Sequence, residues 1–119
     1  MQVTSRIRAG VTVVSLAGQV LRYRADVFGA WIRAEIGDGW TGPVLLDCEN
    51  LTYINSVALR EILLVARRVA EHRGRFAICS LPEPLDRVFE IVGFDQIMDI
   101  HDSANQALAA LSRPPEPDD

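Results

Sequence analysis

The hydrophobic pattern of this chain changes period repeatedly, and the order of the changes leaves few folds open. Residues 2 to 8 (QVTSRIR) alternate, with Val3, Ser5 and Ile7 against Thr4 and Arg6, which is the period of a half-exposed strand. Ala9-Gly10 makes a turn and Val11 to Leu16 reads as a second strand, so an antiparallel hairpin is expected, ended by Ala17-Gly18. From Ala25 to Ile36 the steps become three and four, with Phe28, Trp31, Ile32 and Ile36 as the apolar positions of a helix and Asp26 near its positive end. Gly37, Gly39, Gly42 and Pro43 punctuate the exit. Val44-Leu45-Leu46 is short and wholly apolar, as suits a strand buried on both faces, and Asp47 closes it.

A strand-like run, Leu51 to Ile54, then meets a second helix at Asn55-Ser56. Its apolar stripe is Leu59, Ile62, Leu63, Ala66, Val69 and Ala70, and Gly74 stands just past its end. Arg75 to Ser80 reads as a strand and Leu85 to Val92 as a helix ended by Gly93. Ile97 to Ile100 reads as a short strand and Ser103 to Leu111 as a last helix, capped by Asp102 or Ser103. The order ββαβαβαβα places the chain in the α/β class. A hairpin is followed by alternating helices and strands, which calls for a mixed, mostly parallel sheet with crossover helices.

At 119 residues and 13.2 kDa there is room for one domain, expected over residues 1–112. The remaining stretch, RPPEPDD at 113–119, reads as a disordered proline-rich acidic tail. A net charge of −4 argues against a nucleic-acid binder. No apolar run approaches the roughly 18 to 20 residues of a membrane helix, and no secretion signal opens the chain. A soluble cytoplasmic protein with no membrane insertion is therefore expected. Trp31, on the first helix stripe, is expected in the core, and Trp40, in a glycine-rich turn, partly exposed. Cys48 and Cys79 lie in apolar runs with no zinc spacing, so they read as reduced, buried thiols.

Little in the chain resembles a catalytic constellation. There is no GxxxxGK[ST], no GxGxxG after a strand and no HExxH, so no cofactor or metal is expected, and no enzyme. His72 and His101 read as solvated surface residues. Ser56, His72 and Asp47 supply the residue types of a hydrolytic triad, but no nucleophile-elbow glycines surround Ser56. The position that stands out is Tyr53-Ile54-Asn55-Ser56-Val57-Ala58-Leu59, where a polar pair joins strand to helix. Asn55 or Ser56 is the N-cap, accepting from an orphan backbone N–H. A hydroxyl at such a place can also take a phosphate, which the free N–H groups and helix dipole accept. A partner surface would then meet new negative charge while the domain stays folded.

Together these segments resemble a STAS domain, in particular a bacterial anti-sigma factor antagonist, over roughly residues 3 to 111. The resemblance rests on Ala17-Gly18-Gln19-Val20 after the hairpin, Val44-Leu45-Leu46-Asp47 and Leu51-Thr52-Tyr53-Ile54. It rests also on Asn55-Ser56-Val57-Ala58-Leu59 in place of Asp-Ser-x-Gly-Leu, on Gly93-Phe94, and on Asp102-Ser103 before an alanine-rich helix. It implies a partner-switching protein that catalyses nothing. Such a protein binds an anti-sigma factor that is also an ATP-dependent serine kinase, is released by phosphorylation, and is restored by a serine phosphatase. Carried over by position, Ser56 is the phosphoacceptor, and Asn55, Ser56, Val57 and Arg60 form the partner-binding surface. The chain departs from the family pattern at Asn55 (Asp), Ala58 (Gly) and Leu21 (Asp). The competing expectation is a non-phosphorylated STAS accessory subunit of a lipid-transport or other regulatory complex, using the same surface permanently.

Overall fold

Ala9 and Gly10 both take positive φ, 51° and 77°, the backbone of a two-residue hairpin turn whose twist matches its strands. They join β1 (Gln2–Arg8) to β2 (Val11–Val20) in antiparallel register from Arg8↔Val11 to Gln2↔Ala17. The structure is a computed structural model that describes residues 1–20, 25–83, 85–96 and 98–112. Leu21 and the acidic tail lie outside the described residues, as does the side chain of Asp26.

After the hairpin come α1 (Ala25–Ile36), β3 (Pro43–Ile54), α2 (Ser56–Glu71), β4 (Arg75–Cys79), α3 (Leu85–Ile91), β5 (Asp99–His101) and α4 (Ala104–Leu111). The sheet order is β1-β2-β3-β4-β5, antiparallel only at the hairpin and parallel thereafter. This is the expected ββαβαβαβα architecture.

The period of two sorts the side chains onto two faces. Val14, Leu16, Val44, Leu46, Cys48, Phe76 and Ile78 face one way, into a core closed by Phe28 and Ile32 of α1, Ile62 and Val65 of α2, and Phe89 of α3. Val11, Val13, Leu45, Ala77 and Cys79 face the other way and are covered by Ala107, Leu108 and Leu111 of α4. Cys48 and Cys79 are thus both buried free thiols, as expected, and their opposite facing rules out a disulfide between them. At the far end of α4, the Arg75 guanidinium donates to the carbonyls of Ala110 and Leu111 at 2.9 and 3.2 Å, satisfying acceptors that helix geometry leaves open.

Several expectations need correction. Ala17-Gly18 does not end β2, and Asp47 does not end β3. Both strands run on, and the turn-like residues mark register shifts between Ser15/Ala17 and Gly18/Gln19 instead. The last strand is Asp99–His101 rather than Ile97 to Ile100; Met98 is buried just before it, and Ile97 lies outside the described residues. The α2 stripe is Ala58, Leu59, Ile62, Val65, Ala66 and Val69; Ala70 is exposed and Leu63 half-buried.

The tryptophans exchange their expected places. Trp31 is 41% exposed because Phe28, Ile32 and Ile36 hold the centre of the α1 stripe and leave position 31 on its flank. Trp40 is buried in a 3-10 turn over Gly39–Thr41, with the Arg68 guanidinium 4.1 Å from its ring centre and the His72 ring 6.1 Å away.

Candidate functional site at the start of helix α2

β4 ends at Cys79, opposite Asp47, whereas β3 continues beyond it, paired only with β2 through Val20↔Ile54. The overhang carries Tyr53 to Ser56 out past the carboxyl edge of the central sheet. Ile54 is buried and anchors the overhang; Tyr53, beside it, is 50% exposed.

The chain turns into α2 at Asn55, whose φ of −93° and ψ of 175° are those of an extended N-cap residue. Its Oδ1 accepts from the Ala58 N–H at 2.9 Å, and its carbonyl accepts the first helical bond from the Leu59 N–H at 3.0 Å. Between these, helix geometry leaves the N–H groups of Ser56 and Val57 without a carbonyl partner. The cap is therefore Asn55. Ser56 is the first helical residue, exposed, and its hydroxyl makes no hydrogen bond among the described residues. The Nδ2 of Asn55 is buried without a partner, so the amide is used through its oxygen alone.

Charge and apolar surface around Ser56 are distinctive. No acidic residue stands in the first turn of α2. Val57 and Leu64 are 47% and 41% exposed, and with exposed Arg60 they fall on one helix face at steps of three and four. The expected surface of Asn55, Ser56, Val57 and Arg60 is thus brought together at one helix start. Tyr53 and Leu64 extend it. Neither is singled out by the sequence: Leu64 lies off the expected apolar stripe of α2, and Tyr53 stands in a strand-like run whose facing the sequence does not give.

The other chemistry-bearing residues lie elsewhere. Ser56 and His72 stand at opposite ends of α2, about 24 Å apart along a helix of that rise, so the paper triad with Asp47 does not assemble. His72 is exposed, its Nδ1–H donating to the Arg68 carbonyl at 2.8 Å. His101 departs from the solvated expectation: it is half-buried, with Nε2 enclosed and unpartnered.

Asp47, Cys79 and His101 sit side by side on β3, β4 and β5 on the face toward α4. Burial pushes the Cys79 thiol up to about 11. The Ser80 hydrogen bond opposes the shift and the Asp47 charge reinforces it, so the group stays protonated at neutral pH. Burial drives the Cys48 thiol higher still. Among the described residues no group of His, Cys, Asp and Glu is arranged to hold a metal, and no helix is long and apolar enough to cross a membrane.

The site is thus a capped helix start beside exposed apolar side chains at the carboxyl edge of a mixed sheet. The STAS domain family model matches residues 2–107. BtrV of Bordetella bronchiseptica, named as an anti-sigma factor antagonist, is 34% identical over 102 residues, 86% of this chain and 87% of its own. The anti-sigma F factor antagonist of Paenibacillus polymyxa is 25% identical over 111 residues, 93% of this chain and 95% of its own. Solved structures of anti-sigma factor antagonists share the fold. An anti-sigma factor antagonist from Mycobacterium paratuberculosis has a TM-score of 0.83 at 20% identity, covering 94% of each chain. The Bacillus cell fate determinant SpoIIAA in its phosphorylated form has a TM-score of 0.67 at 18% identity, covering 92% of this chain and 98% of its own. The chain belongs to the STAS domain family and, within it, to the anti-sigma factor antagonists.

Proposed function

We propose that this protein is a partner-switching regulator that binds an anti-sigma factor through the start of α2 and is released when Ser56 is phosphorylated. The observation that carries the reading is the division of labour between neighbours. Asn55 does the capping, so the Ser56 hydroxyl is free, exposed and at the positive end of a 16-residue helix.

The chemistry asked of the chain is small. A serine kinase, which as the anti-sigma factor is also the partner, supplies ATP and the base. The Ser56 Oγ attacks the γ-phosphorus, the bond to ADP breaks, and the hydroxyl proton passes to the kinase base. The product adds roughly −1.5 to −2 charge beside two unpartnered N–H groups, which favour it by about 0.3–1 kcal/mol, so the helix is not undone. Arg60, four residues on, is placed to attract the same phosphate. The partner surface meets that charge at the centre of the contact formed by Tyr53, Val57 and Leu64, where an unpaired charge must lose its water. A serine phosphatase, returning phosphate to water, resets the switch.

The test combines the protein with a candidate kinase anti-sigma factor. With ATP, peptide mass spectrometry is expected to find one phosphate on Ser56 and none after Ser56→Ala. Binding by Ser56→Ala is expected to match the wild type. Equal binding by wild type, Ser56→Ala and Ser56→Asp would sink the switch and leave the permanent-subunit use of the same surface.

A further inference from the structure

We propose that β1 is a homodimerisation edge, pairing antiparallel with β1 of a second copy about a two-fold axis through Ser5. The proposal stands apart from the switch, since β1 lies two strands from β3, which leads into the helix that begins at Ser56.

The hairpin decides which backbone groups are free. A two-residue turn makes Arg8 and Val11 a bonded pair, and bonded pairs alternate along the ladder. Arg8, Arg6, Thr4 and Gln2 therefore bond to β2, and Val3, Ser5 and Ile7 turn their N–H and C=O groups to the open edge. That edge is seven residues long, in unbroken register, with neither Pro nor Lys. Of the usual devices that blunt an edge strand, it carries only charged side chains, Arg6 and Arg8.

The side chains select both the occupant and the register. With Ser5 opposite Ser5, Val3 faces Ile7 of the second copy, Thr4 faces Arg6 and Gln2 faces Arg8, so no arginine meets an arginine. Sliding two residues toward the C-terminal end sets Arg6 directly against Arg6, which like charge disfavours. Sliding the other way leaves Ile7 outside the bonded pairs. In the favoured register the exposed edges complement each other. Ile7 is 77% exposed among the described residues. Beside Val3 is a groove of 460 Å³ between β1 and α1, lined by Met1, Val3, Ala34, the exposed Trp31 and, at its polar end, Glu35, which accepts from the Ser5 hydroxyl. Pairing sends each Ile7 into the other copy's groove, against Trp31. The α1–α3 layers of the two copies then lie on one side of a continuous sheet and their α4 helices on the other, and both Ser56 sites remain at its carboxyl edges.

The register is tested by cysteine crosslinking and the assembly by sedimentation equilibrium. Bonded antiparallel partners stand about 5.5 Å apart at Cα, within disulfide reach, whereas Thr4 and its copy are offset by two residues to about 8 Å. Oxidised Ser5→Cys is expected to run as a covalent dimer and Thr4→Cys as a monomer, Cys48 and Cys79 being buried in both. The wild-type mass is expected to rise with concentration from 13.2 kDa toward twice that value. Ile7→Lys, exposed in the monomer and so harmless to its fold, is expected to raise the dissociation constant at least about tenfold. A wild-type mass fixed at 13.2 kDa up to the order of 1 mM would overturn the proposal. So would crosslinking through Thr4→Cys but not Ser5→Cys, or a dimer indifferent to Ile7→Lys.

Discussion

At the start of α2 the cap is Asn55, whose Oδ1 takes the Ala58 N–H at 2.9 Å; at the start of α4 it is Ser103, whose Oγ takes the Gln106 N–H at 3.2 Å. The backbone solution is the same, an extended cap bonded to the third helical residue. What surrounds it differs. Gln106 reaches back, its Oε1 accepting from the Asp102 N–H at 3.3 Å, so the α4 start is closed from both sides in the manner of a capping box. The equivalent residue in α2 is Ala58, fully buried and with nothing to reach back. The serine of α4 is occupied as the cap itself, whereas that of α2 stands one residue later with its hydroxyl unused. One position in sequence separates a structural serine from one available for chemistry.

The largest effect that would sharpen this contrast is on partner binding. Ser56→Asp is expected to weaken the anti-sigma factor complex by about 10- to 100-fold, roughly 1.4–2.8 kcal/mol, in calorimetric titration. Ser103→Asp is expected to bind like the wild type, since aspartate caps as well as serine and lies at the start of another helix. Equal losses from the two would erase the distinction.

A smaller effect concerns the caps. Asn55→Ala and Ser103→Ala are each expected to lower unfolding free energy by about 1 kcal/mol, read as a shift of urea midpoint at unchanged slope. Ser56→Ala is expected to leave the midpoint within about 0.5 kcal/mol, as for a surface substitution that removes no cap. If Ser56→Ala destabilised as much as Asn55→Ala, the serine would be sharing the capping and its hydroxyl would not be free.

The sequence made the contrast only partly visible. The pair Asn55-Ser56 marks a helix start, but either residue can cap, and local chemistry does not choose between them. Backbone direction does, because β3 delivers Asn55 in an extended conformation and Ser56 already in the helix. The element order was legible because each element buries a face with its own period. Ala17-Gly18 and Asp47 misled because glycine and a lone carboxylate signal strand ends as well as bulges. Only pairing between β2 and β3 beyond the reach of β4 separates the two. Trp40 was illegible for a related reason: a loop has no period, and its burial depends on Arg68 and His72 late in α2. Val57 was legible as surface from its place beside Ser56, whereas Tyr53 and Leu64 were not, because the facing of an apolar residue is known only once the elements are packed.

The finest test lies at the cap of α2, where the family pattern has a carboxylate and this chain an amide. Asn55→Asp keeps the acceptor oxygen for the Ala58 N–H and removes the donor that Nδ2 leaves buried and unpartnered. It also sets a negative charge at a helix start that has no acidic residue in its first turn. The expected result is a gain of about 0.3–1 kcal/mol at pH 7. Dipole and hydrogen bond hold the folded carboxyl below its unfolded value near 3.9, so the gain is present above that value and is lost as pH falls through the folded one. Phosphorylation of Ser56 should reverse the sign, since the new carboxylate then stands next to a phosphate competing for the same N–H groups. Urea midpoints of wild type and Asn55→Asp, each with and without phosphate, form a double-mutant cycle whose coupling is expected to be unfavourable. A coupling of zero would mean that the phosphate points away from the cap, and that the amide at Asn55 gives this chain no easier accommodation of the modified state than the family's carboxylate.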